Sequence, residues 1–422
     1  MKAKTIFRAA MSAALLVAGA ASSFSQAITT ATKDDVLKRM SELVTQNAFV
    51  PGKDFSKWPE FLEAQREKID KSKDADEFAF QVREALEKFG ISHILLMPPK
   101  AVDQRNNQEV VGIGVSLRKE EKGFRVWLTF PNAPAVEAGI EAGDLIVAVD
   151  GKQIQTHEPI IGEPGTQVLI TVEKSDGKRK DFTITRRRYK TIRPETLTWT
   201  DKKTAVLKVW TFDRGYNGQN VENLIRQAEK ADRLVLDLRS NGGGAVMNMI
   251  HLLNMLLPDR TEFGVFVDKS KVRRFKEETG QDGTDLFAVA KWADKLKTNA
   301  PPKGPHFGGK IAVLVDGASG SASEIVAAAM KETVGAPIVG NRSAGAVLAS
   351  VMAPLPHGFL LQFPITDYVT VKGIRLEGTG VKPDLEVPPV TKVNEPDQAI
   401  EKAVALLKGA DLKSLQLKKQ GG

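Results

Sequence analysis

The sequence predicts an α/β fold in three consecutive parts, and the spacing of its apolar residues is the main reason. Residues 28–104 carry apolar residues at helical intervals, residues 105–190 are rich in alternating strand-like runs, and residues 191–400 alternate apolar strand runs with helical segments. Strands that alternate with helices are typical of a mostly parallel sheet with crossover helices. We therefore expect an N-terminal helical region, a β-rich module and an α/β domain, followed by a C-terminal helix and tail at 401–422.

The composition excludes several kinds of site. The chain of 422 residues contains no cysteine, which rules out a disulfide scaffold, a thiolate zinc site and a cysteine nucleophile. Its 60 Lys and Arg residues exceed its 52 Asp and Glu residues, for a formal charge of +8, but they form no arginine-rich cluster with interleaved aromatic residues. Nucleic acid is therefore not an expected partner.

The first 27 residues predict a secretory signal peptide. Lys2, Lys4 and Arg8 precede an apolar run at 9–21, and the small residues at 25–27 have the spacing of a cleavage site. The apolar run is too short to span a bilayer comfortably, and an uncleaved N-terminal anchor helix is the alternative. We expect a mature chain that is exported, in the periplasm, and without a stable membrane span.

Two apolar faces predict the helical region. Val36, Met40 and Leu43 recur at helical spacing, and a second face runs through residues 78–89. The second pattern ends at Gly90, a residue type that commonly terminates helices.

The β-rich module resembles a PDZ domain. Strands are predicted at 110–117, 124–130, 145–149 and 168–172, with a hairpin turn at Asp176-Gly177. The matching motifs are GIGV at 112–115, AGIEAGD at 138–144 and PGT at 164–166.

The module departs from the PDZ pattern in one place. PDZ domains have a helix that forms one wall of the peptide groove, but only residues 153–163 remain for it here, with Pro159 inside them. Two roles therefore stay open: binding of a chain terminus by strand addition, or service as a spacer or lid.

The third part alternates strands and helices. The predicted strands are 205–209, 234–238, 311–315 and 338–340, and the predicted helices are 221–228, 247–256 and one that starts at Ser321. Residues 357–376 are expected to be antiparallel, and the polar, basic segment 259–306 is expected to be a surface excursion.

One candidate loop is DLRSNGGG at 237–244, between a buried strand and a helix. Its glycines allow a ligand to approach the backbone closely, and their N–H groups can point at an anion. The loop lacks the lysine and hydroxyl of a phosphate-binding P-loop, so an ATP site is not expected. A tight turn without a ligand is the alternative.

A second candidate loop is GASGSASE at 317–324. Ser321 lies at the predicted N-terminus of a helix, where the dipole favours negative charge, and the N–H of Ala322 is free to stabilise an oxyanion. The same residues also fit a capping box in which Ser321 is the N-cap and Glu324 reciprocates. Capping therefore remains the alternative.

A nucleophilic serine needs a base, and the chain has five histidines. His93 follows Ser92 in an irregular segment, a placement that suits a functional residue. The other four lie in the β-rich module, in an apolar helix that suits a core residue, in a loop and in a turn: His157, His251, His306 and His357.

Together these motifs resemble the C-terminal processing (tail-specific) serine peptidases that carry a PDZ domain, and their relatives in the core of tricorn protease. The matching runs are 236–244, 313–324, 338–340, 355–358 and 377–384. The resemblance implies a crotonase-like or ClpP-like catalytic domain, with Ser321 as nucleophile and the N–H groups of Gly243 and Ala322 as the oxyanion hole. It also implies a protein or peptide substrate and no cofactor or metal.

The base separates two branches of this family. The processing peptidases carry a lysine at the place of Ala346, so their Ser/Lys pair does not carry over. The tricorn-like branch has a Ser-His pair before the PDZ domain and a glutamate after the nucleophile, and Ser92, His93 and Glu377 occupy those places. The resemblance then implies His93 as base, Glu377 as third member, directly or through a bridging group, and Ser92 as a supporting hydroxyl. A solvated Glu377 beside Arg375 is the alternative.

We therefore expect an exported serine endopeptidase that forms an acyl-enzyme on Ser321. The missing lysine motivates a second hypothesis, a catalytically degenerate peptidase homologue that only binds peptides or envelope partners. The sequence leaves the oligomeric state and the substrate preference open.

Overall fold

The computed structural model describes residues 15–16, 27–299, 304–389 and 395–417. The predicted signal peptide at 1–27 lies outside these ranges except for positions 15, 16 and 27. None of the helices in the described ranges combines the length and the apolar character needed to cross a membrane.

The described chain forms two compact units. One is built on Asp103–Arg193 and corresponds to the β-rich module. The other unites the N-terminal helical region with the α/β domain and consists of residues 27–102, 194–389 and 398–417.

The first unit is an antiparallel β structure. Its main sheet has the strand order Leu15–Leu16, Val115–Glu120, Gly123–Thr129, Leu145–Val149, Gln167–Glu173 and Arg179–Thr185. Two further pairings join Lys152–Gln153 to Leu145–Val149 and Arg187–Lys190 to Glu109–Gly112. Its short helix is Pro134–Ala138. Every second residue of Gln167–Glu173 is buried, so the strand predicted at 168–172 is confirmed and buries one of its faces.

The groove-wall helix of a PDZ domain is missing from this unit, as predicted. Residues 153–163 contain only the 3₁₀ turn Glu158–Ile160. The Arg186 guanidinium holds this turn by donating to the carbonyl oxygens of Pro159 and Ile160, at 3.0 and 2.9 Å.

A six-stranded sheet is the centre of the second unit. Its strand order is Thr196–Asp201, Thr204–Lys208, Arg233–Asp237, Lys310–Val315, Ile338–Gly340 and Leu385–Glu386. The first pair is antiparallel and all others are parallel, which confirms the predicted mostly parallel sheet.

Helices cover both faces of this sheet because its strands are apolar on both sides. Leu234 and Leu236 pack on the side of the helices Gly218–Ala228, Val246–Leu256 and Ala322–Val334. Val235, between them, packs on the side of the C-terminal helix Gln398–Leu407, which is followed by Leu412–Leu417.

A second sheet of five strands corrects one expectation. It has the order Leu296–Lys297, Glu262–Asp268, Leu360–Val369 and Ala349–Pro354, with Leu95–Met97 also paired to Leu360–Val369. The segment 259–306 is therefore not merely a surface excursion, because its strand Glu262–Asp268 buries Val265 and Val267. Its helices are Lys269–Thr279 and Leu286–Trp292.

The N-terminal helices pack against this second sheet. For example, the rings of Phe78 and Phe359 meet edge-on with their centroids 5.6 Å apart. Both residues belong to one core cluster with Leu361 and Phe363. The helical elements of this region are Thr30–Asn47, Phe55–Lys57, Trp58–Glu63, Arg66–Asp70, Ala75–Phe89 and Pro99–Asn107.

Candidate active site

The two glycine-containing loops meet because they follow neighbouring parallel strands. Arg233–Asp237 and Lys310–Val315 pair in parallel, so the loops after their carboxyl ends lie at the same edge of the sheet. Hydrogen bonds join the loops: Ser319 Oγ donates to the Leu238 carbonyl at 2.9 Å, and the Asn241 carbonyl accepts from the Gly320 N–H at 3.0 Å and from Ser323 Oγ at 2.8 Å.

Ser321 stands at the start of its helix in an unfavourable backbone conformation. It has φ 54° and ψ −118°, outside the regions that ordinary residues populate, and it is the N-cap of Ala322–Val334. The Glu324 half of the predicted capping box is formed, because the Ser321 N–H donates to Glu324 Oε2 at 3.0 Å. The Glu324 N–H donates to the Ser321 carbonyl at 2.9 Å. The Ser321 hydroxyl oxygen lies 3.2 Å from Nε2 of His93. Strained residues of this kind persist mainly where function requires their geometry.

His93 reaches Ser321 from the loop after the helix Ala75–Phe89. That helix ends at Gly90, whose left-handed φ of 77° turns the chain out of the helix. His93 itself has a positive φ of 56°, which is rare for a residue with a side chain. The structure thus brings together two residues that are 228 positions apart in the chain.

Glu377 is linked to His93 through the hydroxyl of Ser92. Ser92 Oγ donates to Glu377 Oε2 at 3.0 Å and lies 2.7 Å from His93 Nδ1. Since the Ser92 proton points at the carboxylate, Nδ1 must carry the proton of the imidazole. His93 Nε2 then has the free lone pair that can accept the Ser321 hydroxyl proton.

Glu377 is not a solvated charge beside Arg375. It also accepts from the backbone N–H groups of Ser92 at 3.1 Å and Val347 at 2.8 Å, while Arg375 pairs with Asp367 at 2.7 Å. Burial raises the pKa of the Glu377 carboxyl, and these hydrogen bonds oppose that rise by stabilising the charge.

The environment keeps His93 neutral. Burial lowers its pKa from 6.5 to about 4, because the imidazolium loses hydration. A neutral imidazole next to a hydroxyl is the protonation state that general-base catalysis requires.

The two predicted oxyanion donors differ. Ala322 is the first residue of its helix, so its N–H has no acceptor inside the helix. The Gly243 N–H, by contrast, donates to Oδ1 of Asn241 at 3.0 Å. Gly243 nevertheless lies directly against the serine, since a Cβ at this position would come within 2.6 Å of Ser321 Cβ. Its role in an oxyanion hole stays a prediction that requires this N–H to be shared or released.

Three other histidines have partners outside this site. His251 bonds Tyr216 at 2.8 Å and Glu222 at 3.2 Å, so it is a hydrogen-bonded residue rather than an apolar core residue. His306 and His357 contact the Leu257 carbonyl and Asp35, respectively. In the part of the chain that the structure describes, no group of three His, Asp or Glu side chains is arranged to hold a metal.

The sequence motifs missed the segment that joins the two halves of the site. Residues 343–347 supply the Val347 N–H to Glu377 and the Ala346 carbonyl to the Ser321 N–H, at 2.8 Å in both cases. These contacts are made by the backbone, so no residue type signals them. Arg342, just before this segment, donates to the Thr379 carbonyl at 2.8 Å.

Two family models match the chain. Residues 203–387 match Peptidase family S41, and residues 111–185 match the PDZ domain. Among curated proteins, the "Probable CtpA-like serine protease" of Staphylococcus saprophyticus is 28% identical over 297 residues, which are 68% of this chain and 55% of that protein. The Staphylococcus aureus protein of the same name is 26% identical over 297 residues. The chain thus spans about half the length of these relatives.

Solved structures share the fold. The photosystem II D1 C-terminal processing protease is 20% identical, with a TM-score of 0.50 over 91% of this chain and 99% of that one. Mature CPAF is 13% identical, with a TM-score of 0.52 over 93% of this chain and 99% of that one. These structures agree with the observed fold, while the match to the S41 peptidase family is limited to residues 203–387 and the match to the PDZ domain to residues 111–185.

Proposed function

We propose that the protein is a serine peptidase that hydrolyses peptide bonds of protein or peptide substrates through an acyl-enzyme on Ser321. The observation that carries the proposal is the 3.2 Å contact between Ser321 Oγ and Nε2 of a neutral His93. The match of residues 203–387 to the S41 peptidases supports the same chemistry.

In the proposed reaction, Ser321 Oγ attacks the substrate carbonyl while His93 Nε2 takes the hydroxyl proton. The imidazolium that forms is stabilised by Glu377, whose negative charge acts across the Ser92 hydroxyl. The Ala322 N–H, with the Gly243 N–H if Asn241 shares it, faces the oxygen on which negative charge develops. His93 then passes its proton to the leaving amine, and the acyl-enzyme remains. In the second step, a water molecule attacks the acyl carbonyl while His93 takes its proton. His93 then returns the proton to Ser321 Oγ, and the carboxylic acid product is released.

Two finer parts of the proposal rest on the sequence. A base at His93 and the absence of an amine at Ala346 favour the tricorn-like Ser/His/Glu branch over the Ser/Lys branch. The basic and apolar N-terminus favours export to the periplasm, where an endopeptidase would meet unfolded envelope proteins.

A fluorophosphonate probe tests the nucleophile directly. The parent chain should take up one label at Ser321 and hydrolyse an unfolded polypeptide, and the Ser321→Ala variant should do neither. Ser56→Ala, which removes an exposed hydroxyl from the helical region, is the matched control and should behave like the parent. A parent that neither takes the label nor hydrolyses peptides would favour the alternative, a degenerate homologue that only binds them.

A further inference from the structure

Glu324 is a fully buried carboxylate in the first turn of the helix that starts at Ser321. Its exposed fraction is 0%. It accepts four hydrogen bonds from neutral groups, and their donors are Ser321 N–H at 3.0 Å, Ser343 Oγ–H at 2.5 Å, Gly345 N–H at 2.7 Å and Ala346 N–H at 2.9 Å. A helix cap needs only the first of these, so the other three require a separate explanation.

Three of the four donors lie in residues 343–347, which we call the bridging loop. On one side this loop contacts the nucleophile turn, because Ala344 N–H donates to the Ser319 carbonyl at 2.9 Å. On the other side it holds the segment of the third member, because Val347 N–H donates to Glu377 at 2.8 Å and the Gly345 carbonyl accepts from Gly378 N–H at 2.8 Å. The bridging loop therefore connects the backbones of Ser321 and Glu377.

We propose that Glu324 is a positioning residue for the reaction proposed above: its carboxylate locks the bridging loop onto the N-terminus of the nucleophile helix and so sets Ser321 and Glu377 at their working separation. Glu324 acts through Ser321 and the bridging loop. Ser343 strengthens this anchor, because its hydroxyl donates to Glu324 and accepts from the Val381 N–H at 2.6 Å.

The chemistry of the position explains why a carboxylate is needed. A carboxylate presents only acceptors, and its two oxygens can receive all four donors. Glutamine closes a capping box as well as glutamate does, but it has one acceptor oxygen and an NH₂ group. In a Glu324→Gln variant that NH₂ would face donors of the bridging loop, so the helix cap would survive while the loop anchor would be lost.

The Glu324→Gln variant therefore separates the two roles. If Glu324 positions the site, kcat for peptide hydrolysis and the rate of fluorophosphonate labelling should fall by about 10- to 100-fold, since small displacements of reacting groups have effects of that size. KM should change by less than about threefold, because Glu324 is fully buried and has no exposed atom with which to bind the substrate. The pH dependence should keep its shape, since His93 remains the titrating base.

Glu77→Gln is the matched control. Glu77 holds the same third position in the helix Ala75–Phe89, and its carboxylate accepts the Lys73 N–H at 2.8 Å from an exposed site. This variant should keep the parental kcat. All assays belong at a temperature where each variant is folded by circular dichroism.

The outcomes are distinct. Parental kcat in a folded Glu324→Gln variant would leave Glu324 as a helix cap only and overturn the proposal. If that variant does not fold, the decision passes to Ser343→Ala, which should lower kcat about 3- to 10-fold at unchanged KM; a parental kcat there would likewise overturn it. A parent chain that is itself unreactive would instead refute the proposed peptidase function.

Discussion

The Ser92 hydroxyl oxygen lies 2.7 Å from Nδ1 of His93, its neighbour in the chain. This contact makes a four-residue relay, in which the carboxylate of Glu377 reaches the imidazole across one hydroxyl group. The His93 ring is thereby held in one tautomer, with its lone pair directed at Ser321.

Replacing Ser92 by alanine should break this relay. The His93 Nδ1–H would lose its acceptor and Glu377 would lose one of its donors, so we expect kcat to fall by about 10- to 100-fold with KM little changed. Steady-state hydrolysis of a quenched peptide measures both constants. Ser72→Ala, which removes another buried serine hydroxyl of the same unit, is the control. Equal kcat values in the two variants would argue against the relay.

Replacing Glu377 by glutamine should remove the charge that stabilises the imidazolium. We expect kcat to fall by about 100-fold, because His93 is an imidazolium in the transition state but a neutral imidazole in the enzyme–substrate complex. Glu386→Gln changes an exposed carboxylate and should leave kcat unaltered. A Glu377→Gln variant with undiminished kcat would exclude Glu377 as the third member.

The rate of hydrolysis should tolerate acid. As the proposed base, His93 would act only when neutral, and burial lowers its pKa from 6.5 to about 4, so the acidic limb of kcat/KM should fall at about pH 4. Protonation of Glu377 would also lower kcat/KM at acidic pH. The Glu377→Gln variant separates the two contributions, because an acidic limb that persists in this variant belongs to His93. A limb near pH 6.5 in the parent chain would show that His93 is not the base in this environment.

The same pKa shift predicts how stability depends on pH. An unfolded His93 binds its proton with a pKa of 6.5, whereas the folded form resists protonation until about pH 4. The unfolded chain therefore binds more protons between these values, and the free energy of unfolding should fall as the pH drops through this window. In urea titrations, the free energy of unfolding of the parent minus that of His93→Gln should decrease as the pH falls through this window, because the glutamine variant lacks this loss. Parallel pH profiles would contradict the prediction.

Alanine substitutions at two neighbouring glycines of the loop 237–244 should differ sharply in their effect on activity. Gly243 has φ +97°, and an added Cβ would come within 2.6 Å of Ser321 Cβ, so Gly243→Ala should displace the serine and abolish most activity. A Cβ at Gly242 meets nothing within 4 Å, so Gly242→Ala should retain activity. Labelling of both variants by the fluorophosphonate probe makes the comparison, and equal labelling would contradict it.

The sequence predicted the elements whose pattern is local. Apolar strand runs at 234–238 and 311–315 and the helix after Ser321 were sufficient to predict a mostly parallel sheet with crossover helices. That the two glycine-containing loops meet at one edge became visible only from the parallel pairing of these two strands. The strand Glu262–Asp268 was missed because the polar, basic helix Lys269–Thr279 follows it directly and dominates the composition of its surroundings.

The candidate site was predictable only where side chains carry the signal. Ser321, His93 and Glu377 have reactive groups at recognisable places, and a family resemblance brought them together. The contribution of the bridging loop was not predictable, because backbone N–H groups have no residue signature. Glu324 looked like a helix cap because the local pattern is the same whether one donor or four approach the carboxylate.

Consecutive amide groups of residues 345–347 serve two different carboxylates: the first two face Glu324 and the third faces Glu377. The number of residues in this stretch must therefore stay constant, because each N–H group has to reach its own carboxylate. An insertion or deletion of a single residue between 343 and 347 would bring the wrong N–H group to each carboxylate. Glu377 would then shift relative to Ser321, and the relay through Ser92 and His93 would be misaligned. Natural variation in length should therefore be absent from this short stretch while surface loops of the same unit vary freely.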